Sequence, residues 1–222
     1  MADTSNKQLN SIWTPANVIT CVRILFIPLF MALALLSHHG ALDFDPALSL
    51  AAFVLYMLLS LTDKVDGYLA RSRNEITDFG KFLDPIADKL LVFSALLILL
   101  QQNTVNIWFV FIILLREFLV SALRMVASAN GVVVAADKLG KWKTATTMVS
   151  LCGYLLSFVL FAYGVSFASM LLILSQALMV IAVFLTVVSG LQYFWNCRKV
   201  VFAFRGDLMR RVRLNCSGTT SA

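Results

Sequence analysis

The sequence predicts an all-α integral membrane protein with six transmembrane helices and both termini in the cytoplasm. Composition, span length and the distribution of basic residues carry this prediction. Of the 222 residues, 60% are apolar or aromatic and 14% are charged, against about 45–50% and about 25% in soluble domains. The mean hydropathy of +0.85 excludes a disordered chain and an ordinary cytosolic enzyme, because only a bilayer solvates so much apolar surface.

Spans are expected at Pro15–Leu36, Pro46–Thr62, Phe82–Leu100, Ile107–Ala127, Trp142–Ala162 and Phe167–Tyr193, close to the ~20 residues that cross hydrocarbon as helix. The second is short, and its helix is expected to continue through the charged stretch Asp63–Arg71 as it leaves the membrane. The breaks at Ser37–Asp45, Gln101–Asn106 and Tyr163–Ser166 contain no Lys or Arg. Basic residues mark the cytoplasmic side, so these breaks face outward and both termini face in. Residues 1–14 form a cytoplasmic segment, 15–194 a six-helix catalytic domain and 195–222 a basic amphipathic tail. The run entering the first span lacks a short apolar core followed by a small-residue cleavage site, so that span is retained.

The formal charge of +6 points to anionic headgroups or an anionic substrate rather than to nucleic acid. Arg198, Lys199, Arg205, Arg210, Arg211 and Arg213, interleaved with apolar residues, suit a tail lying along anionic membrane lipid. Cys21, Cys152, Cys197 and Cys216 are widely spaced and show no C-x-x-C pair, which argues against a zinc site or a disulfide framework. His38 and His39 fall in an outward break and read as solvated loop residues.

The chemistry concentrates in one acidic stretch. Asp63 and Asp66 lie three apart, Asp84 and Asp88 four apart, and on helices each spacing places both carboxylates on one face. A hairpin between the second and third spans would gather all four at the inner rim of the membrane. Clustered carboxylates repel one another, and a divalent cation relieves that repulsion. Oxygen-only ligation suits Mg²⁺, Mn²⁺ or Ca²⁺ rather than zinc or copper, and four ligands suffice for two ions that clamp a phosphoryl transfer. Gly67 and Gly80 leave room at the backbone for a substrate, Ala70 keeps the same face shallow, and Arg71 is placed to neutralise a phosphate.

The pattern D-x-x-D-G-x-x-A-R-x8-G-x3-D-x3-D, matched at every position from Asp63 to Asp88, resembles the signature of the CDP-alcohol phosphatidyltransferases. The resemblance implies a six-helix membrane enzyme, a homodimer in the bacterial cytoplasmic (inner) membrane, that transfers a phosphatidyl group from a CDP-linked donor to an alcohol and releases CMP. It implies that Asp63, Asp66 and Asp84 are ligands of two Mg²⁺ or Mn²⁺ ions. Asp88 would complete the metal site and act as general base. Asp66, Gly67, Ala70, Arg71, Thr77 and Gly80 would bind the cytidine diphosphate.

The alcohol is read from the rest of the inner half. Arg116 and Glu117 lie mid-span, where ionisable groups cost at least about 2.5–3.5 kcal/mol each. Neighbouring helix positions point about 100° apart, so the two are expected to find partners on different sides. Several cations suit an anionic acceptor and repel choline or ethanolamine. The run from Arg116 to Arg124, with Lys138, Gly140, Lys141 and Lys143, is similar to the branch of the family that uses glycerol 3-phosphate. So is the leader Pro15-Ala16-Asn17-x-x-Thr20-x-x-Arg23, apart from its inserted Ala16. The expected substrates are therefore CDP-diacylglycerol and glycerol 3-phosphate, with Arg116, Arg124, Lys138, Lys141 and Arg23 on the acceptor phosphate. The alternatives are a sister enzyme acting on inositol phosphate or phosphatidylglycerol, a polyprenyl-diphosphate transferase, and an ion-coupled transporter. The transferase just named leaves the Gly67, Ala70-Arg71 and Gly80 pattern unexplained, and transporter sites sit nearer the midplane between repeated halves, which this sequence lacks.

Overall fold

The computed structural model describes the backbone over residues 15–40, 43–73, 78–129 and 138–217. Side chains at 15–17, 63–85, 88, 124–129, 138–139, 141, 193–194 and 196–217 lie outside the described set. The described backbone is helical except for one small hairpin. In chain order the elements are α1 (Pro15–Leu36), β1 (His38–Gly40), β2 (Asp43–Phe44), α2 (Pro46–Arg73), α3 (Asp78–Gln101), α4 (Ile107–Ala129), α5 (Lys138–Ala162) and α6 (Ala168–Ser217).

The breaks are built from local chain chemistry. Pro15 and Pro46 open α1 and α2, where a missing N–H costs nothing. Asp45 caps α2, its Oδ1 accepting from the Leu48 N–H at 2.9 Å, and Asn106 caps α4 through the Trp108 N–H at 2.9 Å. α5 ends on Gly164 at φ +66°, with the Val165 N–H reaching back to the Leu160 carbonyl at 2.9 Å. That left-handed residue closes the helix and turns the chain toward α6. The β1–β2 hairpin, pairing His38 with Phe44 and Gly40 with Asp43, occupies a break that the sequence reading left as plain loop. His38 is also half-buried, its ring set edge-on to Phe44 at 5.2 Å, so it is not the solvated loop residue expected.

The contacts divide the chain into two compact units. The first comprises Met1–Val110 with Thr146–Val180, the second Phe111–Ala145 with Ile181–Ala222. In the first, α1 packs on both α2 and α3. Its buried stripe is Thr20, Arg23, Ile27, Phe30 and Ala34, alternating steps of three and four as one helix face requires. On α2 the matching stripe is Ser49, Ala52, Tyr56 and Leu59, and on α3 it is Ala87, Leu91, Ser94, Ala95 and Ile98. Phe30 meets Tyr56 at 5.4 Å between ring centroids, and Phe44 stacks on Phe158 at 4.6 Å. Ser94 and Ser157 donate to carbonyls one turn back on their own helices, satisfying hydroxyls that would otherwise be unpaired in an apolar core.

The outward faces are as apolar as the inner ones. Leu25, Leu36, Met170, Ile173 and Phe184 are all exposed, a surface that lipid tolerates and water does not. Among the described residues, Val18–Leu36, Trp142–Ala162 and Ala168–Gln192 are each long and apolar enough to cross a bilayer, while Pro46–Thr62 and Lys89–Gln101 are shorter apolar stretches. α2 continues past the apolar stretch to Arg73, as expected. α6 also continues, through the basic tail to Ser217, because residues 191–205 contain neither Gly nor Pro to interrupt it.

α5 and α6 approach closely at Gly153. A Cβ there would overlap Ser175 Oγ and lie 3.3 Å from the Ser175 Cβ. The Ser175 hydroxyl cannot rotate away without losing its bond to the Leu171 carbonyl, 2.8 Å long. Gly153→Ala is therefore expected to lower stability by about 1–3 kcal/mol, the usual cost of overpacking. Thermal unfolding in detergent checks this, and Ser175→Ala added to Gly153→Ala should recover part of the loss.

Candidate active site

The acidic stretch sits where helix register continues the core. On α2 the buried series Ser49, Ala52, Tyr56, Leu59 steps on to positions 63, 66 and 70, occupied by Asp63, Asp66 and Ala70. On α3, positions 84 and 88 flank buried Ala87 and lead into buried Leu91. The face that is apolar deep in each helix thus becomes acidic toward the end that joins the other. Residues 73 and 78 end and begin the two helices, and five peptide links span at most ~18 Å, so the acidic halves of α2 and α3 are tied near each other. The backbone at Asp63, Asp66, Gly67, Ala70, Arg71, Gly80, Asp84 and Asp88 is helical throughout. Their side chains lie outside the described residues, as do those of Arg124, Lys138 and Lys141 and the whole of Thr77.

Arg23, the acceptor candidate on α1, is enclosed at 2% exposure, one turn from fully buried Thr20. A cation at that depth within an otherwise apolar stripe marks the polar end of the α1 face.

The second unit holds a described charge cluster. Arg116 and Glu117 on α4 meet Lys143 from the first turns of α5. Lys143 Nζ contacts Glu117 Oε1 directly, and Arg116 Nη1 lies 3.5 Å from the same oxygen, at the limit of a hydrogen bond. The side chains are 15%, 19% and 4% exposed for Arg116, Glu117 and Lys143. The adjacent positions of Arg116 and Glu117 on one helix predict partners on different sides. Instead their long side chains bend onto one locus, and the strong partner of Glu117 is Lys143, which had not been assigned to the site. A carboxylate deep in an apolar helix demands a buried cation, and that requirement was the available signal for Lys143.

Space for the arginine is made by two glycines. A Cβ at Gly190 on α6 would stand 3.2 Å from Arg116 Cγ, and one at Gly140 on α5 would stand 3.8 Å from Arg116 Nη2. Ser121 donates to the Glu117 carbonyl at 2.7 Å, and Thr144 to the Gly140 carbonyl at 3.0 Å. Glu117 thus draws two cations, one from its own helix and one from α5, to a single oxygen.

Comparison with known proteins finds relatives that span most of the chain. The family model of the CDP-alcohol phosphatidyltransferases matches residues 13–188. A CDP-diacylglycerol–glycerol-3-phosphate 3-phosphatidyltransferase of Bacillus subtilis is 43% identical over 191 residues, covering 82% of this chain and 96% of its own length. An enzyme of the same name from Rickettsia felis is 37% identical, covering 82% of this chain and 94% of its own. A probable phosphatidylglycerophosphate synthase of Mycobacterium tuberculosis is 33% identical over 80% and 78% respectively.

The clearance at Gly190 gives a signed test. Gly190→Ala gains about 1 kcal/mol of helix propensity, but crowding Arg116 costs about 1–3 kcal/mol, so the single variant is expected to lose stability. In an Arg116→Ala background the same change is expected to stabilise. A double-mutant cycle of thermal unfolding reads the coupling directly.

Proposed function

The chain belongs to the CDP-alcohol phosphatidyltransferase family, and from that premise we propose that it transfers the phosphatidyl group of CDP-diacylglycerol to glycerol 3-phosphate. The products are phosphatidylglycerol phosphate and CMP. The observation that carries this reading is the 43% identity spanning 96% of a relative that bears this activity in its name. The uninterrupted motif from Asp63 to Asp88 and the basic residues Arg116, Arg124, Lys138 and Lys141 support it from the residues themselves.

In this reading all six helices cross the cytoplasmic membrane of a bacterium with both termini inside, as the basic residues favour. The reacting groups meet at the inner rim, where the acyl chains of the donor stay in lipid and the soluble acceptor arrives from water. Asp63, Asp66, Asp84 and Asp88 form an oxygen-only donor set on two consecutive helices, which fits two Mg²⁺ or Mn²⁺ ions. When bound, such ions would neutralise the donor diphosphate and the charge that develops on the leaving CMP. Gly67, Ala70, Thr77 and Gly80 shape the donor pocket beside Asp66, and Arg71 holds a diphosphate oxygen. Arg116, Arg124, Lys138, Lys141 and Arg23 hold the acceptor phosphate. Asp88 takes the proton of the acceptor's primary hydroxyl, whose oxygen attacks the lipid-linked phosphorus as the bond to CMP breaks. By likeness to its family, the chain works as a homodimer.

Purified protein given radiolabelled CDP-diacylglycerol is expected to form phosphatidylglycerol phosphate with glycerol 3-phosphate, and no product with inositol phosphate or phosphatidylglycerol. A product only with one of the latter two would reassign the acceptor. Asp88→Asn is expected to slow CMP release by about 10²–10⁴-fold, the range for loss of a general base. Chelation with EDTA should abolish CMP release, and Mg²⁺ or Mn²⁺ should restore it. CMP release that survives EDTA would remove the metal from the scheme.

A further inference from the structure

Ser37, Ser94, Ser157 and Ser175 each donate to a carbonyl three or four residues back, and Ser150 donates to the Ser175 carbonyl. Ser49 departs from this habit. It is 4% exposed, in the first turn of α2, and its enclosed Oγ has no hydrogen-bond partner among the described residues. Gln102, one residue past the end of α3, shows the same departure. Its Nε2 donates to the Ala34 carbonyl at 3.2 Å, yet its Oε1 is enclosed and equally unpartnered. Reversing the amide would set oxygen against oxygen at Ala34, so the orientation is fixed. Unmet buried groups of this kind are costly enough that native structures rarely keep them.

The two departures meet in one place. Ser49, Gln102 and Ser37 are the polar side chains around a cavity of about 10 Å³, whose apolar walls include Ala52, Leu155 and Phe158. All of them belong to the first compact unit. That volume admits one water molecule and little else. The Ala34 carbonyl cannot serve Ser49, because the Ser37 hydroxyl at 2.9 Å and the Gln102 amide already occupy its two lone pairs.

We propose that this cavity is a binding site for a single water molecule, which bridges Ser49 Oγ and Gln102 Oε1. The water donates one proton to Gln102 Oε1 and accepts the proton of the Ser49 hydroxyl. Ser37 Oγ, whose own proton is committed to Ala34, keeps a lone pair for the second O–H of the water. Three polar partners are the usual complement of an enclosed water. A hydrocarbon chain is too large for the space, and a cation would enter walls that contain no acid. Ser37 follows the last residue of α1, Ser49 lies in the first turn of α2, and Gln102 follows α3. One water therefore clasps three helix ends, on the side of α2 and α3 away from the acidic stretch. The site is independent of which acceptor the enzyme uses.

The sign of a stability change tests the proposal. A hydroxyl with no partner at all destabilises its own fold, and Ser49→Ala would then raise the thermal midpoint. A hydroxyl bonded to water loses that bond instead, so Ser49→Ala is expected to lower the midpoint in detergent by about 2–4 °C. Alanine also favours helix, and a Gln102→Met background cancels that contribution. There the water has already lost a partner, and the same change is expected to lower the midpoint less, or to raise it. A midpoint unchanged or higher for Ser49→Ala alone overturns the proposal, as does a drop equally large or larger in the Gln102→Met background. A structure of the full chain that shows ordered solvent gives the direct reading. Density at roughly 2.7–3.2 Å from both Ser49 Oγ and Gln102 Oε1 is expected. A dry cavity, a lipid chain in its place, or direct contact between the two side chains would overturn the assignment.

Discussion

Hydrocarbon offers no hydrogen-bond partner, and that one constraint organises nearly every polar atom described in this molecule. A hydroxyl or charge that enters the apolar zone must be satisfied by the protein itself. Several serines comply at short range, although the buried Ser49 hydroxyl does not. Ser94, Ser157 and Ser175 return their hydroxyls to carbonyls three or four residues back, and Ser150 donates across to the Ser175 carbonyl at 2.8 Å. Charges have no such local escape, because a helix has no charged group of its own within its interior. Glu117 therefore takes its partner from another helix, and the requirement couples the start of α5 to the middle of α4.

The same constraint explains why the reactive stretch lies toward the linked ends of two helices. Positions 63 and 66 continue the register of the buried stripe of α2, and positions 84 and 88 precede that of α3. Four carboxylates would be intolerable at mid-membrane. Here they fall toward the helix ends at residues 73 and 78 rather than at the helix centres. α1, packed on both helices, gives this arrangement a rigid back. Its stripe becomes polar at Thr20 and Arg23 toward the end where its chain begins.

Much of this was legible in the sequence. The span Pro15–Leu36 was drawn at the limits that α1 takes, because Pro15 opens it and the apolar run closes at Ser37. The continuation of α2 through Asp63–Arg71 was legible from the absence of any breaker other than Gly67. The hairpin at His38–Phe44 was not, since its strands are three and two residues long and too short to show alternation. The uninterrupted run of α6 to Ser217 was also missed, because the change from apolar to basic residues reads as a boundary although the backbone meets no obstacle there. At the site, residue types and spacings named the aspartates and the basic set. What they did not show was convergence. Reading Arg116 and Glu117 as divergent followed from Cβ directions alone, and it neglected the reach of an arginine and a glutamate whose tips meet several bonds from the helix.

Convergence also decides what is costly to disturb. Arg116 and Lys143 both reach the Glu117 carboxylate, so replacing one base leaves the other beside the acid, whereas replacing Glu117 removes the group that both approach. Losing one member of an enclosed ion pair is costly because the remaining charge has lost its counter-ion, and the acid is therefore the point on which the middle of α4 and the start of α5 depend together.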